Sequence, residues 1–300
     1  MANTVKEIES HLELKIKTAC NKFLLSKGWS STLPNTYELS LVKYLDFIDI
    51  LRIKDKPWQC IELPNLECPP ELKAGYENLK KALTSGKDID KYMSKGIFRG
   101  NNDAMFNDWG ILHFHLGSQL DNTGKYVRRT KELVFIKFHE KTAYIIAIGK
   151  HGDWTKQKLI EKLDSHTPEL ISHGLINAID ISHSPSDEEL KHLRNDNINS
   201  AIKLDNGNIY MVINSGYSLA GNKMTSTMGL TTINRCIHMI SRFIIYNNLN
   251  TKLDDFIFYE YSIKTTHWGN IINGIAFINT KNGKFLYSMG SQAKYSCTLS

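Results

Sequence analysis

Two histidines separated by one residue are the part of this sequence best suited to chemistry. His113 and His115 lie in the apolar run ILHFHL at residues 111–116. Because successive side chains of a β-strand point to opposite faces, both imidazoles would share one face, opposite Leu112, Phe114 and Leu116. Histidine exchanges protons near neutral pH and is also a common metal ligand. This face therefore predicts acid–base chemistry or a metal site, unless the strand is an ordinary half-exposed one.

A basic connection and then two further strand-like runs follow the two histidines. The connection carries four cations, namely Lys125, Arg128, Arg129 and Lys131. The apolar runs at 132–138 and 142–149 alternate as strands do, and they end in Lys150-His151-Gly152-Asp153-Trp154. Residues 109–154 thus combine four histidines, His139 among them, with a cluster of positive charge.

The strand pair at 132–149 and the residues after it resemble the last hairpin of the RelE/YafQ-type mRNA interferases, which are small bacterial toxins that cut RNA. In that family the two strands are followed by a histidine, an acidic residue and an aromatic residue. The corresponding segments here are LVFIKF and YIIAIGKH, followed by Asp153 and Trp154. The resemblance covers residues 109–154. The family's domains are much shorter than this chain, and its short loop is replaced here by GSQLDNTGKYVRRTKE.

The resemblance implies metal-free cleavage of RNA by histidine acid–base catalysis, without a cofactor. His113 or His115 would be one proton-transfer group and His151 the other. Arg128 and Arg129 would hold the scissile phosphate, as arginine does in a bidentate manner. The remaining predicted substrate contacts are Lys125, Lys150, Asp153 and Trp154, the last by stacking on an unpaired base. The protein would be a toxin or a phage-defence effector with RNA as its partner, and with a possible protein partner or antitoxin.

Two other functions are compatible with the same residues. His113 and His115 could ligate a metal, with His151 or His139 as a third ligand. The cupin pattern with the same histidine spacing has a glutamate where Gln119 stands here, and its second motif is absent. Alternatively, the chain could be a non-catalytic nucleic-acid- or protein-binding component. Residues 201–300 would then form the binding surface, because they carry nine Lys or Arg against four Asp or Glu.

The composition places the chain among ordinary folded proteins. The formal net charge is +6, and 41% of the 300 residues are hydrophobic. Five cysteines are scattered without a C-x-x-C motif, which favours a reducing cytoplasm over a disulfide framework. No apolar run is long enough to cross a membrane, and the charged N-terminus is not a secretory signal. A cytoplasmic location and no membrane partner are therefore expected.

The pattern of elements predicts an α+β fold in three consecutive regions. Residues 1–100 are expected to be mainly helical, 101–180 to form a central antiparallel sheet that carries the candidate site, and 200–300 to form a C-terminal α+β region. Helices are predicted at 5–28, 70–86, 155–164, 186–195 and 225–247, with Thr155 as a helix cap. Strands are predicted at 110–116, 132–138, 142–149, 256–263, 270–279 and 284–289. Asn206-Gly207 indicates a further hairpin.

Overall fold

The computed structural model describes residues 4–29, 32–54, 56–101, 103–177 and 180–246, together with the backbone of four strands between 256 and 296. The fold class is α+β, as predicted. The chain divides into two compact units: Met1–Asp49 with Met224–Ser300, and Ile50–Lys223. This division differs from the three consecutive regions that the sequence suggested, because the first unit joins segments from both ends of the chain.

The first unit is built on long helices. Helix α1 spans Val5–Ser26, α2 spans Tyr37–Leu51 and α7 spans Met224–Tyr246. A capping box between Thr4 and Glu7 begins α1. The buried side chains of α1 recur every four residues, at Ile8, Leu12, Ile16, Cys20 and Leu24. The first four of these side chains pack in one apolar cluster with Ile233, Cys236, Ile237 and Ile240 of α7.

Four strands complete the first unit as an antiparallel sheet with neighbours in sequence order. They are β7 (Phe256–Tyr261), β8 (Gly274–Asn279), β9 (Phe285–Met289) and β10 (Gln292–Ser296). The first three correspond to predicted strands, whereas β10 was not predicted. The side chains of residues 247–300 lie outside the described part, and five of the nine cations of the proposed basic binding surface are among them.

The second unit contains the sheet that carries the histidines. Its strands are β1 (Gln59–Glu62), β2 (Ile111–His115), β3 (Glu132–His139) and β4 (Thr142–Lys150), in the order β1-β4-β3-β2. Strands β2, β3 and β4 pair antiparallel, as predicted. The four-stranded sheet is mixed, because the edge strand β1 pairs parallel with β4. A bulge interrupts the β3–β4 register between Phe135 and Ile136.

Helices cover both faces of this sheet. Helix α3 (Lys73–Ser85) approaches β2 so closely that a Cβ on Gly75 would lie 1.8 Å from the carbonyl oxygen of Leu116. The opposite face packs against α4 (Ala104–Trp109), α5 (Lys158–His166) and the hairpin of β5 (Ala201–Lys203) and β6 (Ile209–Met211). Helix α6 (Asp187–Asn195) joins the same core through Leu190. The residues of β2 and β3 are therefore largely buried on both faces, whereas the edge strand β1 is mostly exposed.

Two predicted helix starts had different outcomes. Ser186 caps α6 in a capping box with Glu189, as the sequence indicated. The prediction of a cap at Thr155 was wrong: Thr155 ends a short 3-10 helix, Asp153–Thr155, and α5 begins at Lys158. Other short 3-10 helices lie at Pro70–Leu72, Ile89–Tyr92, Ile97–Arg99, Pro168–Leu170 and Ser172–Gly174.

Within the described ranges, no helix is both long enough and apolar enough to cross a membrane. The four described cysteines, Cys20, Cys60, Cys68 and Cys236, are free thiols.

Candidate active site

Strand β2 places His113 and His115 on the same face of the sheet. His113 lies opposite Phe135 of β3, and His115 lies opposite Leu133. The predicted alternation is therefore confirmed. The face is less open than an exposed strand would be, because His115 is only 2% exposed and the His113 side chain only 17%.

Strand β4 brings the third histidine to the same place. His151 follows β4, and its backbone N–H donates to the carbonyl oxygen of Lys131 at 3.1 Å. The ring centroids of His113 and His151 are 6.1 Å apart, and those of His113 and His115 are also 6.1 Å apart. The structure thus brings together three histidines whose convergence sequence spacing alone could not establish.

A cavity of about 290 Å³ opens beside these histidines. His113 and His151 line it, with His151 at an exposed position. Its other lining residues come mostly from the segment before β2, from β3 and from α6; they are Ser94, Gly96, Ile97, Asn101, Asp103, Ala104, Met105, Leu133, Phe135, Trp154 and Asn195.

Asp103 is the acidic group of the cavity, and it was not among the site residues predicted from the sequence. Its Oδ1 accepts a hydrogen bond from the backbone N–H of Phe106 at 3.0 Å, so it caps α4. Its Oδ2 lies 3.9 Å from Nδ1 of His113. An aspartate just before a helical segment is a recognisable capping signal. Its closeness to His113 depends on tertiary packing that the sequence does not display.

The cavity holds His113 in its neutral form near pH 7. Burial lowers the pKa of His113, and the positive charges of His151 and Arg129 act in the same direction. The carboxylate of Asp103 opposes them by favouring the imidazolium. His113 is therefore able to accept a proton, with an anion beside it that would stabilise the resulting cation.

His115 is more strongly biased towards the neutral form. Burial, reinforced by Arg129 and the other two histidines, lowers the pKa of His115 to about 3. Neither ring nitrogen of His115 has a hydrogen-bond partner in the described part of the chain. His115 lies beside His113 and does not line the cavity.

The two predicted arginines differ in their relation to the histidines. Both side chains are exposed on the connection between β2 and β3. Arg129 is close enough to lower the pKa of both His113 and His115. Arg128 has no such effect on either group, and its backbone N–H donates to the carbonyl oxygen of Gln119 at 2.8 Å. Arg129 is thus the better placed of the two to meet an anion near the histidines.

The connection between β2 and β3 is an ordered hairpin. Leu120 pairs antiparallel with Val127, and the backbone N–H of Asp121 donates to the carbonyl oxygen of Tyr126 at 2.7 Å. Lys95 forms an ion pair with the Asp121 carboxylate at 2.6 Å. These contacts fix the direction in which the segment carrying Arg129 returns to the sheet.

Three other predicted substrate contacts lie away from the cavity wall. Lys125 is exposed near the tip of the hairpin. Lys150 and Asp153 line a second, more open hollow of about 630 Å³ with Glu67 and Glu132. The Asp153 carboxylate accepts a hydrogen bond from the backbone N–H of Lys150 at 2.7 Å, so it has a structural role in the turn.

Trp154 lines the cavity, and a buried ion pair fixes its position. Arg194 donates from Nη1 to the carbonyl oxygen of Trp154. The Nε and Nη2 atoms of Arg194 each lie 2.9 Å from Oδ2 of Asp108, and its guanidinium stacks 3.8 Å from the Trp109 ring. The sequence predicted neither member of this pair, because 86 residues separate Asp108 from Arg194.

The geometry gives no grouped set of metal ligands within the described residues. No cluster of three or more His, Cys, Asp or Glu side chains in this part of the chain is placed to hold a metal ion. His139 lies at the far end of β3, six residues from the partner of His115, which corresponds to about 20 Å along a strand.

Comparisons of the chain with protein-family models, with curated proteins and with solved structures found no match.

Proposed function

We propose that this protein cleaves RNA by metal-independent acid–base catalysis, as a toxin or phage-defence effector of the cytoplasm. The observation that carries the proposal is the placement of His113 and His151 on one cavity, with ring centroids 6.1 Å apart. Cleavage of RNA without a metal needs a base, an acid and a cation near the phosphate. His113, His151 and Arg129 supply these three groups.

His113 is the proposed general base. It is neutral near pH 7 because burial lowers its pKa, so it can take the proton of the 2′-hydroxyl as that oxygen attacks phosphorus. Asp103, with Oδ2 3.9 Å from Nδ1 of His113, would stabilise the imidazolium that forms.

His151 is the proposed general acid. As the bond from phosphorus to the 5′-oxygen breaks, protonated His151 would transfer its proton to that leaving oxygen. The products are a 2′,3′-cyclic phosphate and a free 5′-hydroxyl, so one proton is taken up by His113 and one is released by His151. Arg129 would contact the non-bridging phosphate oxygens, where negative charge accumulates.

The proposal is tested with purified protein, a single-stranded RNA and a chelator. We expect cleavage to persist in EDTA, and His113→Ala or His151→Ala to slow it by about 10²- to 10⁴-fold, the usual contribution of one acid–base group. His139→Ala is the matched control, because His139 is an exposed histidine at the end of β3 and should leave the rate unchanged.

Absence of RNA cleavage by the folded wild-type protein would overturn the proposal, as would unchanged activity of both cavity variants. Complete loss of activity in EDTA, with recovery on adding a divalent metal, would instead support a metal-dependent enzyme. Expression in bacteria tests the biological part: wild-type protein should arrest growth, whereas the His113→Ala, His151→Ala double variant should not.

A further inference from the structure

We propose that the 290 Å³ cavity binds one unpaired nucleobase next to the scissile phosphate, so that the substrate must be single-stranded where it is cut. This inference rests on the proposed function and names the substrate class of the same site. It follows from the size, the wall composition and the charge of the cavity.

The walls of the cavity suit a flat aromatic group. Phe135 and Trp154 contribute aromatic rings, and Ile97 and Met105 contribute apolar surface. Proteins that read single-stranded RNA commonly stack splayed-out bases on aromatic side chains. The volume of about 290 Å³ lies at the lower limit of small-molecule pockets, so it suits one base better than a larger ligand.

Polar groups in the lining suit the edge of a base. Ser94, Asn101 and Asn195 supply a hydroxyl and two amides, which together both donate and accept hydrogen bonds. In the described part of the chain neither amide side chain has a hydrogen-bond partner. Both are therefore available to a ligand without breaking an existing contact.

The charge of the cavity argues against a phosphate inside it. Among the described lining residues Asp103 is the one carboxylate, and none is lysine or arginine. An anionic occupant would be repelled by Asp103, whereas a neutral base would not. Arg129 is exposed outside this lining. The base would therefore enter the cavity while the phosphate stays near Arg129, His113 and His151.

A base in a duplex cannot enter such a cavity without losing its partner and its stacking. The test uses deoxyoligonucleotides that contain one ribonucleotide, so that only one bond can be cut. The base on each side of that bond is in turn kept or removed as an abasic residue, and each strand is assayed alone and annealed to its complement. We expect a loss in kcat/KM of about tenfold or more on annealing and on removing one of the two bases.

Two asparagine variants locate the effect in the cavity. The sensitive position is the one at which removal of the base slows cleavage. Wild-type protein should cut at unequal rates when each of the four bases is placed there. The substitutions Asn101→Ala and Asn195→Ala should reduce those differences. Asn122→Ala is the matched control, because Asn122 is exposed on the hairpin between β2 and β3 and does not line the cavity. A wild-type enzyme that cuts duplex and single strand equally, or ignores both abasic residues, would overturn the inference and leave the proposed function standing.

A binding assay separates the two proposals if nothing is cut. Fluorescence anisotropy with a labelled, all-2′-O-methyl single strand measures binding without any reaction. Tighter binding of the intact strand than of one in which every base is removed would support the cavity site even if the proposed function failed. Equal affinity for both strands would contradict the cavity site by itself.

Discussion

Helix α4 has an aspartate near each end, Asp103 and Asp108, and the two carboxylates lie in different surroundings. At its start Asp103 faces His113 across 3.9 Å, beside an open cavity. Near its end Asp108 is sealed against Arg194 at 2.9 Å. Close to that pair, buried Lys137 donates to the carbonyl oxygen of Trp109 at 2.7 Å.

The difference lies in what surrounds each carboxylate. At the Asp108 pair, Arg194 donates from Nε to Asp108 and from Nη1 to the carbonyl oxygen of Trp154, and these two bonds hold Trp154 and α4 in place. Asp103, in contrast, lines a cavity that opens to solvent beside the exposed His151. The amide side chains of Asn101 and Asn195 in the same cavity are available to a ligand. Perturbed histidines in a cleft indicate a functional site, whereas a closed ion pair indicates a structural one. The comparison therefore predicts stability effects at one end of α4 and proton-transfer effects at the other.

The largest expected effect is on stability, from breaking the closed pair. Arg194→Met leaves Asp108 buried without its partner and removes the donor to the Trp154 carbonyl oxygen. We expect the free energy of unfolding to fall by about 3–5 kcal/mol, the usual result of removing one member of a buried ion pair. Urea unfolding followed by circular dichroism measures it.

Arg128→Met is the control for that experiment, because Arg128 is exposed and should change stability by less than about 0.5 kcal/mol. A loss of under about 1 kcal/mol in Arg194→Met would mean that the pair does not anchor this end of α4.

The next effect concerns the pH dependence of stability at His115. The folded-state pKa is about 3 and the unfolded value about 6.5, so the unfolded chain binds the extra proton between these limits. The contribution of neutral His115 to the free energy of unfolding is complete above pH 6.5. It is lost as the pH falls, by up to about 1.4 kcal/mol per pH unit. His115→Leu should therefore gain stability relative to wild type as the pH is lowered from 6.5 to 4.

Urea unfolding at several pH values gives this difference. His139→Leu serves as the matched control, since it removes an exposed histidine from the same strand pair. If His115→Leu and wild type lose stability in parallel, the imidazole of His115 is not held neutral by burial.

The smallest effect separates the two adjacent arginines. Arg129 lowers the pKa of His113 and His115, so Arg129→Gln should raise the pKa of both histidines. Arg128→Gln should raise neither. NMR titration of the histidine ring protons reports these values without any assay of activity. Equal shifts in the two variants would show that Arg129 has no special position beside the histidines.

The sequence predicted local features well and long-range ones poorly. The alternation of β2, the strands β3 and β4 and the capping box at Ser186 are set by residues close together in the chain. Their periodicity and capping chemistry are visible in the sequence. The cap at Thr155 was predicted wrongly because a 3-10 turn comes before α5 there.

The features that the sequence did not predict depend on contacts between segments that are far apart in the chain. The packing of α1 against α7 joins residues about two hundred positions apart, which is why the predicted regions do not match the two units. Asp103 reads as a helix cap, and only the folded sheet brings it to His113. Parallel pairing of β1 with β4 likewise leaves no local signal.

The most direct test of the central claim assigns the two proton transfers separately. RNA in which the scissile 5′-oxygen is replaced by sulfur has a leaving group that departs without protonation, because a thiol is far more acidic than an alcohol. On this substrate His151→Ala should regain a rate close to that of wild type, whereas His113→Ala should stay about 10²- to 10⁴-fold slower. Rescue of neither variant, or of both alike, would contradict the assignment of His113 as base and His151 as acid.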